Sequence, residues 1–517
     1  LHPQISLKSV VLYHQISLKS VDLYPDFSLK SVDFCCVFPL KSVDLHHENR
    51  LKSVVLPRYR TYNTMLYRKI YAEIEQHLRS GNDKILIVQG ARQIGKSYTI
   101  REVGRKVYKH FVEINFAEDS EGAKVFENVH TTDEFYLRLG MVAGGKLGKF
   151  ENTLIFLDEI QQYPQFLTML KFLRQEARYR YIASGSLLGV ALRQTSSIPI
   201  GSITLRNMYQ LDFEEWLIAN GWGNEAIRHV RDCYFKKEAL SEAFHNKLMQ
   251  ELKKYLIVGG LPDAVNAYLT THNVAKVRDV HKTIHELYKQ DAAKYEENSN
   301  KRLLIRRIYD LIPSQMENKK KRIVAQKIRD KKGDRFNQYL EEFEYLISSG
   351  ISLDVHAISN PRFPLAETEQ KNLLKLYMND VGLLTAQLYK NNLTPILDDE
   401  LSINLGSVYE SFVAQELKAH GSKLFYYDNR SKGEVDFLTD DFNTTSVVPI
   451  EVKSGKDYMV HSALDNLMKV PDYGIKSAIV LSNERKVFVD GDIAYMPIYY
   501  CMFACTEEVK DESEYIF

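Results

Sequence analysis

Apolar positions along this chain of 517 residues fall into short compact runs and longer helical stripes. Ile85–Gln89, Leu154–Leu157 and Tyr179–Ala183 are compact apolar runs, the pattern of strands buried on both faces, and His110–Glu118 is a further strand candidate. A helical stretch around Leu66–Leu78 precedes the first run. Strands alternating with helices predict a parallel α/β sheet with its ligand at the carboxyl edge. Gln210–Trp222 and Glu242–Tyr268 follow helical periodicity, broken at Gly259–Pro262. From Lys301 the order is helix, loop, helix, turn, helix and a β-like tail, SLDVHAI, which predicts a winged-helix region. Leu405–Gly421 has helical spacing with Val408, Phe412, Val413 and Leu417 on one face. LFYYDN is a strand, and Gly433–Gly455 reads as two short strands joined by a polar turn. Leu374–Leu384 is an apolar segment that predicts structural packing.

These shifts predict an α/β chain in five parts: 1–60, 61–225 (parallel sheet), 226–300 (helical lid or connector), 301–370 (winged-helix-like) and 371–517 (a second α/β domain). The first part is a repeat. LKSV begins at Leu7, Leu18, Leu29, Leu40 and Leu51, a period of 11 residues. Pro3, Pro25, Pro39 and Pro57 interrupt it, which disfavours a long helix. An in-frame 33-base repeat would produce the same period, so 1–60 is expected to be translated upstream sequence with the native start at Met65; a short β-rich or disordered arm is the alternative.

Composition narrows the class. A hydrophobic fraction of 44% and a charged fraction of 26% are those of a globular protein, and no apolar run is long enough for a membrane helix. No membrane partner and a cytoplasmic location are therefore expected. The five cysteines are irregularly spaced and form neither a disulfide framework nor a zinc pattern. With a net charge of +1, any basic surface must be local.

The strongest chemical signal follows the first strand. Gly90, four residues, Gly95, Lys96 and Ser97 form G-x-x-x-x-G-K-[ST] between a strand and a helix. The nine residues Gly90, Ala91, Arg92, Gln93, Ile94, Gly95, Lys96, Ser97 and Tyr98 are expected to cradle the phosphates of ATP. Lys96 would reach the β- and γ-phosphates and Ser97 would hold Mg²⁺. Downstream, Asp158 at the end of an apolar run is a second Mg²⁺ ligand, and Glu159 is the general base for the attacking water. Ser184 or Ser186 is expected beside the γ-phosphate as a sensing group, with a plain turn as the alternative. Arg174, Arg193 and Arg206 are candidates for the arginine that stabilises transition-state charge, each with a structural alternative.

Here the chain resembles a known family. GARQIGKS, LIFLDEIQQYP, YIASGS, IPIGSITLRNMYQLDFEEWL and YLIVGGLPDAV look like prokaryotic AAA-type ATPases that carry an uncharacterised C-terminal domain of restriction-endonuclease type. The resemblance runs from about Tyr62 to the C-terminus. It implies ATP and Mg²⁺ as cofactors, and it allows for a homo-oligomer. Many relatives have a Gly-Arg pair before the PLSFEEF-like segment, where this chain has Ile200-Gly201-Ser202.

Two further features bear on nucleic acid. Lys319, Lys320, Lys321, Arg322, Lys327, Arg329, Lys331, Lys332 and Arg335 gather in the winged-helix-like region against Asp330 and Asp334. They predict phosphate-backbone contact with DNA, or else a solvated loop. In the hairpin, strand alternation puts Glu434 and Asp436 on one face and Val435 and Phe437 on the other. Pairing the strands would bring Asp436, Glu451 and Lys453 together, with Glu410 from the preceding helix. Glu410, Asp436 and Glu451 would hold Mg²⁺, and Lys453 would orient a metal-bound water toward a phosphodiester. The order resembles the PD-(D/E)xK nucleases, with Val435 where those have proline. Two readings remain: an ATP-controlled nuclease, or a nucleotide-switched DNA- or protein-binding module with a catalytically inactive nuclease fold.

Overall fold

Five apolar strands fix the first half of the fold. In a computed structural model, β3 (Ile85–Gln89), β4 (His110–Asn115), β5 (Thr153–Asp158), β6 (Arg180–Gly185) and β7 (Ile203–Asn207) form a sheet in the order β4-β5-β6-β3-β7. All its pairings are parallel. Every residue of β5 is buried, as a strand covered by helices on both faces requires. β3, between β6 and the edge strand β7, follows the helix Ile70–Arg79 and leads through the glycine loop into the helix Lys96–Val107. The described residues are 40–43, 54–57, 66–121, 124–186, 188–189, 200–294, 298–318, 321–397, 405–455 and 457–505. They belong to two units, Leu1–Asn63 and Thr64–Phe517. In the first, β1 (Leu40–Val43) and β2 (Val54–Pro57) pair antiparallel, Leu40 opposite Pro57. Among the described residues no helix is long and apolar enough to cross a membrane.

Helices Phe213–Ala219, Asn224–Lys236, Glu242–Val258, Pro262–Thr271, Val274–Lys294 and Ser299–Met316 follow the first sheet. Three histidines of this region are buried, His245, His281 and His285, and the last two are displaced furthest from their ordinary value. His281 Nε2 is 2.9 Å from the Val258 carbonyl oxygen, and His285 Nδ1 is 2.7 Å from the Tyr309 hydroxyl. Burial, with Arg278 adding at His281, pushes His281 down to about 3 and His285 down to about 4. A depressed histidine stabilises the fold above its unfolded value near 6.5 and loses that contribution as pH falls toward the folded value. Stability should therefore decline between pH 6.5 and 4, each histidine contributing about 1.4 kcal/mol per pH unit. Urea unfolding of His281→Gln across that range should show the slope reduced by one histidine's share; an unchanged slope would mean that His281 titrates normally.

The second sheet has eight strands, and its composition corrects the winged-helix expectation. The members are β8 (Ser352–Ile358), β9 (Glu369–Met378), β10 (Phe425–Asn429), β11 (Gly433–Asp441), β12 (Ser446–Lys453), β13 (Ala478–Ser482), β14 (Phe488–Asp490) and β15 (Ile493–Pro497). Their order is β14-β15-β13-β12-β11-β10-β8-β9. SLDVHAI, expected as a wing, is β8. It pairs parallel with β10 and antiparallel with β9 inside this sheet. Its mostly buried side chains need cover on both faces, which a solvent-facing wing lacks. The middle helix of the expected trio is a single turn, Gln326–Arg329.

Candidate functional site

The glycine loop is shaped by backbone that other residues resist. Gly90 has φ +148°, and a Cβ there would lie 2.2 Å from the Met208 carbonyl oxygen. That close approach requires glycine at this position. Gly95 has φ +92° and Gln93 φ +64°. Ala91 and Ile94 are buried under the loop, and Tyr98 is exposed on the first turn of the following helix. Arg68, which carries no motif, donates from Nη1 to the Ile94 carbonyl at 2.8 Å and from Nε to Glu215 at 3.0 Å. Arg92 pairs with Asp291 and donates to Ser186 Oγ at 3.2 Å, while the Tyr288 hydroxyl donates to the Arg92 carbonyl at 3.1 Å. The loop is thus held by side chains 26 to 199 residues away.

Six sequence-predicted residues converge at its mouth: Lys96, Ser97, Asp158, Glu159, Ser184 and Ser186. Lys96 is buried, and its Nζ donates to the carbonyls of Gly90 at 3.1 Å and Ala91 at 2.8 Å. Burial pushes its ammonium down, opposed by Glu159 and Asp158. Ser97 Oγ donates to Asp158 Oδ1 at 2.9 Å, and Ser184 donates to the same oxygen. Burial is the main cause that raises the Asp158 carboxyl. Glu159 sits just past β5 at φ +55°, a left-handed conformation costly for a non-glycine residue. Its Oε2 accepts from Ser186 at 2.9 Å and from Gln161. Burial would raise the Glu159 carboxyl, but Lys96, these hydrogen bonds and Arg92 together hold it below its ordinary value. Both serines expected after the third strand therefore contact the acidic pair.

The arginine candidates separate from this site. Arg174 pairs with Asp83 through Nε at 3.0 Å and donates to the Gly201 carbonyl at 3.0 Å. Asp83 precedes β3, at the end of that strand opposite the loop, so Arg174 does not reach this loop within the chain. Arg206 is exposed with Nε 3.4 Å from Glu73. Arg193 lies outside the described residues.

The hairpin carboxylates gather where a ladder ends. The β11–β12 ladder runs from Phe437 opposite Ile450 to Asp441 opposite Ser446. Just past it, Asp436 Oδ2 accepts the Val452 N–H at 2.9 Å. On the other side of β11, Phe425 pairs with Leu438 but Tyr427 pairs with Val435, so β11 carries one extra residue, a bulge. This corrects the expected alternation. Val435 enters the core with Leu464, whereas Phe437 enters the other core and packs on Tyr377 at 6.0 Å between ring centroids. Glu410 projects toward the same place from the helix Gly406–Ala419.

Lysines occupy this cluster. Lys321 Nζ pairs with Glu410 Oε1, and the Tyr377 hydroxyl donates to Glu410 Oε2 at 3.3 Å. Lys375, 0% exposed, pairs with Glu434 at 2.7 Å with its Nζ 4.5 Å from the Tyr426 ring centroid. Lys453 pairs with Glu451 at 2.9 Å. Burial and the neighbouring Asp436 push Glu451 up to about 8 against the pull of Lys453, and the same two causes raise Glu410 against Lys321 and Lys375. Burial would depress the Lys321 ammonium, but Glu410, Asp436 and Glu434 hold it above its ordinary value. The expectation that Glu410, Asp436 and Glu451 form a Mg²⁺ set meets a different arrangement. Among the described residues no group of three His, Cys, Asp or Glu is placed to hold a metal ion. Each carboxylate faces a lysine or a backbone N–H instead, so this donor set does not fit a divalent cation as it stands.

The expected basic run divides accordingly. Lys321 and Arg322 make internal ion pairs, the latter with Asp428 at 2.8 Å. Lys327, Arg329, Lys331, Lys332 and Arg335 are exposed, and Lys319 and Lys320 lie outside the described residues. Lys321 misled the sequence reading because its chain neighbours are basic. Lys375 left a usable signal, a lone lysine within an apolar strand, which demands a buried acid.

Comparison with known proteins follows this division. Residues 82–217 match the family model of an AAA domain. Residues 249–394 match a domain of unknown function (DUF8612), and residues 405–501 match another (DUF4143). The chain thus carries an AAA-type P-loop domain, an ATP-binding module of the ATPase class. Solved structures with similarity include the Walker-type ATPase PABY2304 of Pyrococcus abyssi, at 13% identity and TM-score 0.40 over 63% of this chain and 96% of that one. Cdc6p from Pyrobaculum aerophilum matches at 13% identity and TM-score 0.24 over 64% of this chain and 93% of that one. The RuvB Holliday junction branch migration motor of Thermotoga maritima matches at 10% identity and TM-score 0.27 over 58% and 90%. No curated protein matches the chain.

Proposed function

We propose that the chain is a Mg²⁺-dependent ATPase whose nucleotide state is relayed to a C-terminal domain of restriction-endonuclease type that acts on or holds nucleic acid. The observation that carries the first half is the convergence of Lys96, Ser97, Asp158 and Glu159 at the loop, with Ser97 bonded to Asp158 at 2.9 Å. Ser97 and Asp158 are the residues suited to hold Mg²⁺, whose chemistry there is neutralisation of phosphate charge. Lys96 exchanges its two loop carbonyls for phosphate oxygens, and the polyanion offsets the desolvation of its ammonium. Glu159, held in its ionised form, accepts a proton from the attacking water, and Ser186 fixes its orientation.

Support for the relay is a contiguous set of hydrogen bonds. The Tyr288 hydroxyl donates to the Arg92 carbonyl and accepts from Asn379 at 3.2 Å. The adjacent Asp380 accepts the N–H of Gly260 at 2.7 Å and caps the helix Val381–Tyr389. Gln415 and Glu416, on the helix that bears Glu410, accept the N–H groups of Val381 and Phe213, each at 2.9 Å. Rigid elements linked this way can transmit a two-state change. The lysine-held carboxylates favour holding over cutting in this state.

The test is phosphate release by the full chain as Mg²⁺ is varied. Ser97→Ala combined with Asp158→Asn should raise the Mg²⁺ requirement on the order of tenfold or more. Wild-type protein that neither binds nor hydrolyses Mg·ATP would overturn the reading. The same protein should retain duplex DNA at low salt and release it as salt rises. No retention at low salt would remove the nucleic-acid half.

A further inference from the structure

We propose that Arg92, inside the phosphate loop itself, supplies the positive charge that stabilises the transition state: its guanidinium leaves Asp291 and donates to the γ-phosphate oxygens. The proposal rests on the reading of this site as an ATPase. In the step it serves, the water oxygen bonds to the γ-phosphorus while the bond from that phosphorus to the β–γ bridging oxygen breaks, its electron pair leaving with ADP. The water proton passes to Glu159. Arg92 forms no covalent bond and donates only hydrogen bonds to the transferring group.

Position carries it first. Arg92 Nε donates to Ser186 Oγ at 3.2 Å, and Ser186 donates to Glu159 Oε2 at 2.9 Å. One hydroxyl therefore separates this guanidinium from the group that receives the water proton. The attacking water lies on the γ-phosphorus, so a cation beside Glu159 faces the γ-phosphate. On the other side, Arg92 follows directly on Ala91, whose carbonyl holds the Lys96 ammonium. Its charge already acts here: burial would raise the Glu159 carboxyl, and Arg92 joins Lys96 and the hydrogen bonds from Gln161 and Ser186 in holding it below its ordinary value. The second observation is the partner. Asp291 lies in the last turn of the helix Val274–Lys294, where a carboxylate opposes the helix dipole, and it is buried. Its pairing with Arg92 offsets that cost, and an incoming triphosphate offers the same guanidinium a denser set of acceptors. Both backbones are tied, the Arg92 carbonyl by the Tyr288 hydroxyl at 3.1 Å and the Asp291 carbonyl by the Tyr345 hydroxyl at 2.9 Å. The arginine side chain is what can swing, and its fork can keep Nε on Ser186 while the Nη groups change acceptor. Arg101 also approaches the acidic pair, 4.0 Å from Asp158, but the Glu113 carboxylate spans its fork at 2.6 to 2.9 Å.

Single-turnover hydrolysis and ATP titration on the full chain test this, with circular dichroism as the folding check. Arg92→Ala should lower kcat about a hundredfold while Kd for ATP changes less than about tenfold, the split expected of a contact made in the transition state. Asp291→Asn keeps the shape of that side chain and removes the charge that competes with phosphate, so its turnover should equal or exceed that of the wild type. An equal fall in both variants would make the pair a strut between loop and helix and overturn the proposal. A raised Kd with kcat unchanged in Arg92→Ala would make Arg92 a ground-state contact and overturn it as well. Unchanged kinetics in Arg92→Ala beside an active wild type would overturn the proposal and leave the ATPase reading intact; wild-type protein that neither binds nor hydrolyses Mg·ATP would overturn both. If Arg92→Ala does not fold, Arg92→Lys decides: it keeps a charge facing Asp291 without the fork, so kcat should still fall at least about tenfold. A wild-type kcat in Arg92→Lys would overturn the proposal.

Discussion

Lys96→Ala should lower phosphate release at least about a hundredfold, the scale of losing one preorganised electrostatic contact to developing charge. The expectation follows from where the ammonium sits. It is buried inside the loop and held by two carbonyl oxygens, so it is aimed before any phosphate arrives. A solvent-exposed lysine would spend entropy to reach the same place. The substitution should not unfold the domain, because it removes a desolvated charge, and the loop keeps its tie from Arg68 to the Ile94 carbonyl. Lys96→Arg should not restore activity: the socket formed by the Gly90 and Ala91 carbonyls fits a compact ammonium, not a planar fork. ATP titration and single-turnover hydrolysis, with circular dichroism as the folding check, measure both effects. Unchanged turnover in pure Lys96→Ala protein would remove the loop from the mechanism.

The loop was legible because its chemistry is local. Gly90, Gly95, Lys96 and Ser97 lie within eight residues, and their spacing alone dictates a phosphate-sized turn. The apolar runs that became β3 and β5 were equally readable, since burial on both faces forces an unbroken apolar sequence. Where a role depends on distant neighbours, the sequence failed. β7 is the edge strand beside β3, and only Ile203 of its five residues is buried, so it carries little of that signal. The helix Gly406–Ala419 was read from one apolar face, but every residue from Ser407 to Leu417 is buried. It packs against β12, the helix Val381–Tyr389 and the segment Ile498–Phe503, and its polar residues are needed as acceptors for backbone N–H groups. At the hairpin, the residue types pointed to one cluster, but period-two reasoning could not see the bulge that sends Val435 and Phe437 to different cores. Nor could it see that lysines from 321 and 375 would meet the acids at 410 and 434.

Glu159→Gln should separate binding from chemistry more sharply than any other change at this site. Hydrolysis should fall about 10²- to 10⁴-fold, the span attributed to a positioned general base, while ATP is retained. Glutamine matches the size of glutamate, and its carbonyl oxygen can still accept from Ser186 and Gln161, so the strained turn after β5 keeps its supports. What it loses is the capacity to take a proton. It also removes one of two adjacent negative charges, Asp158 and Glu159, that face the incoming phosphates. ATP affinity should therefore hold or rise, and because Lys96 loses one of the carboxylates that oppose its desolvation, the bound polyanion becomes more important to that ammonium. The distinguishing result is a large fall in kcat with Kd for ATP equal or lower. A raised Kd in folded protein would instead give Glu159 a role in holding the ground state, and the proton acceptor would have to be sought elsewhere around the loop.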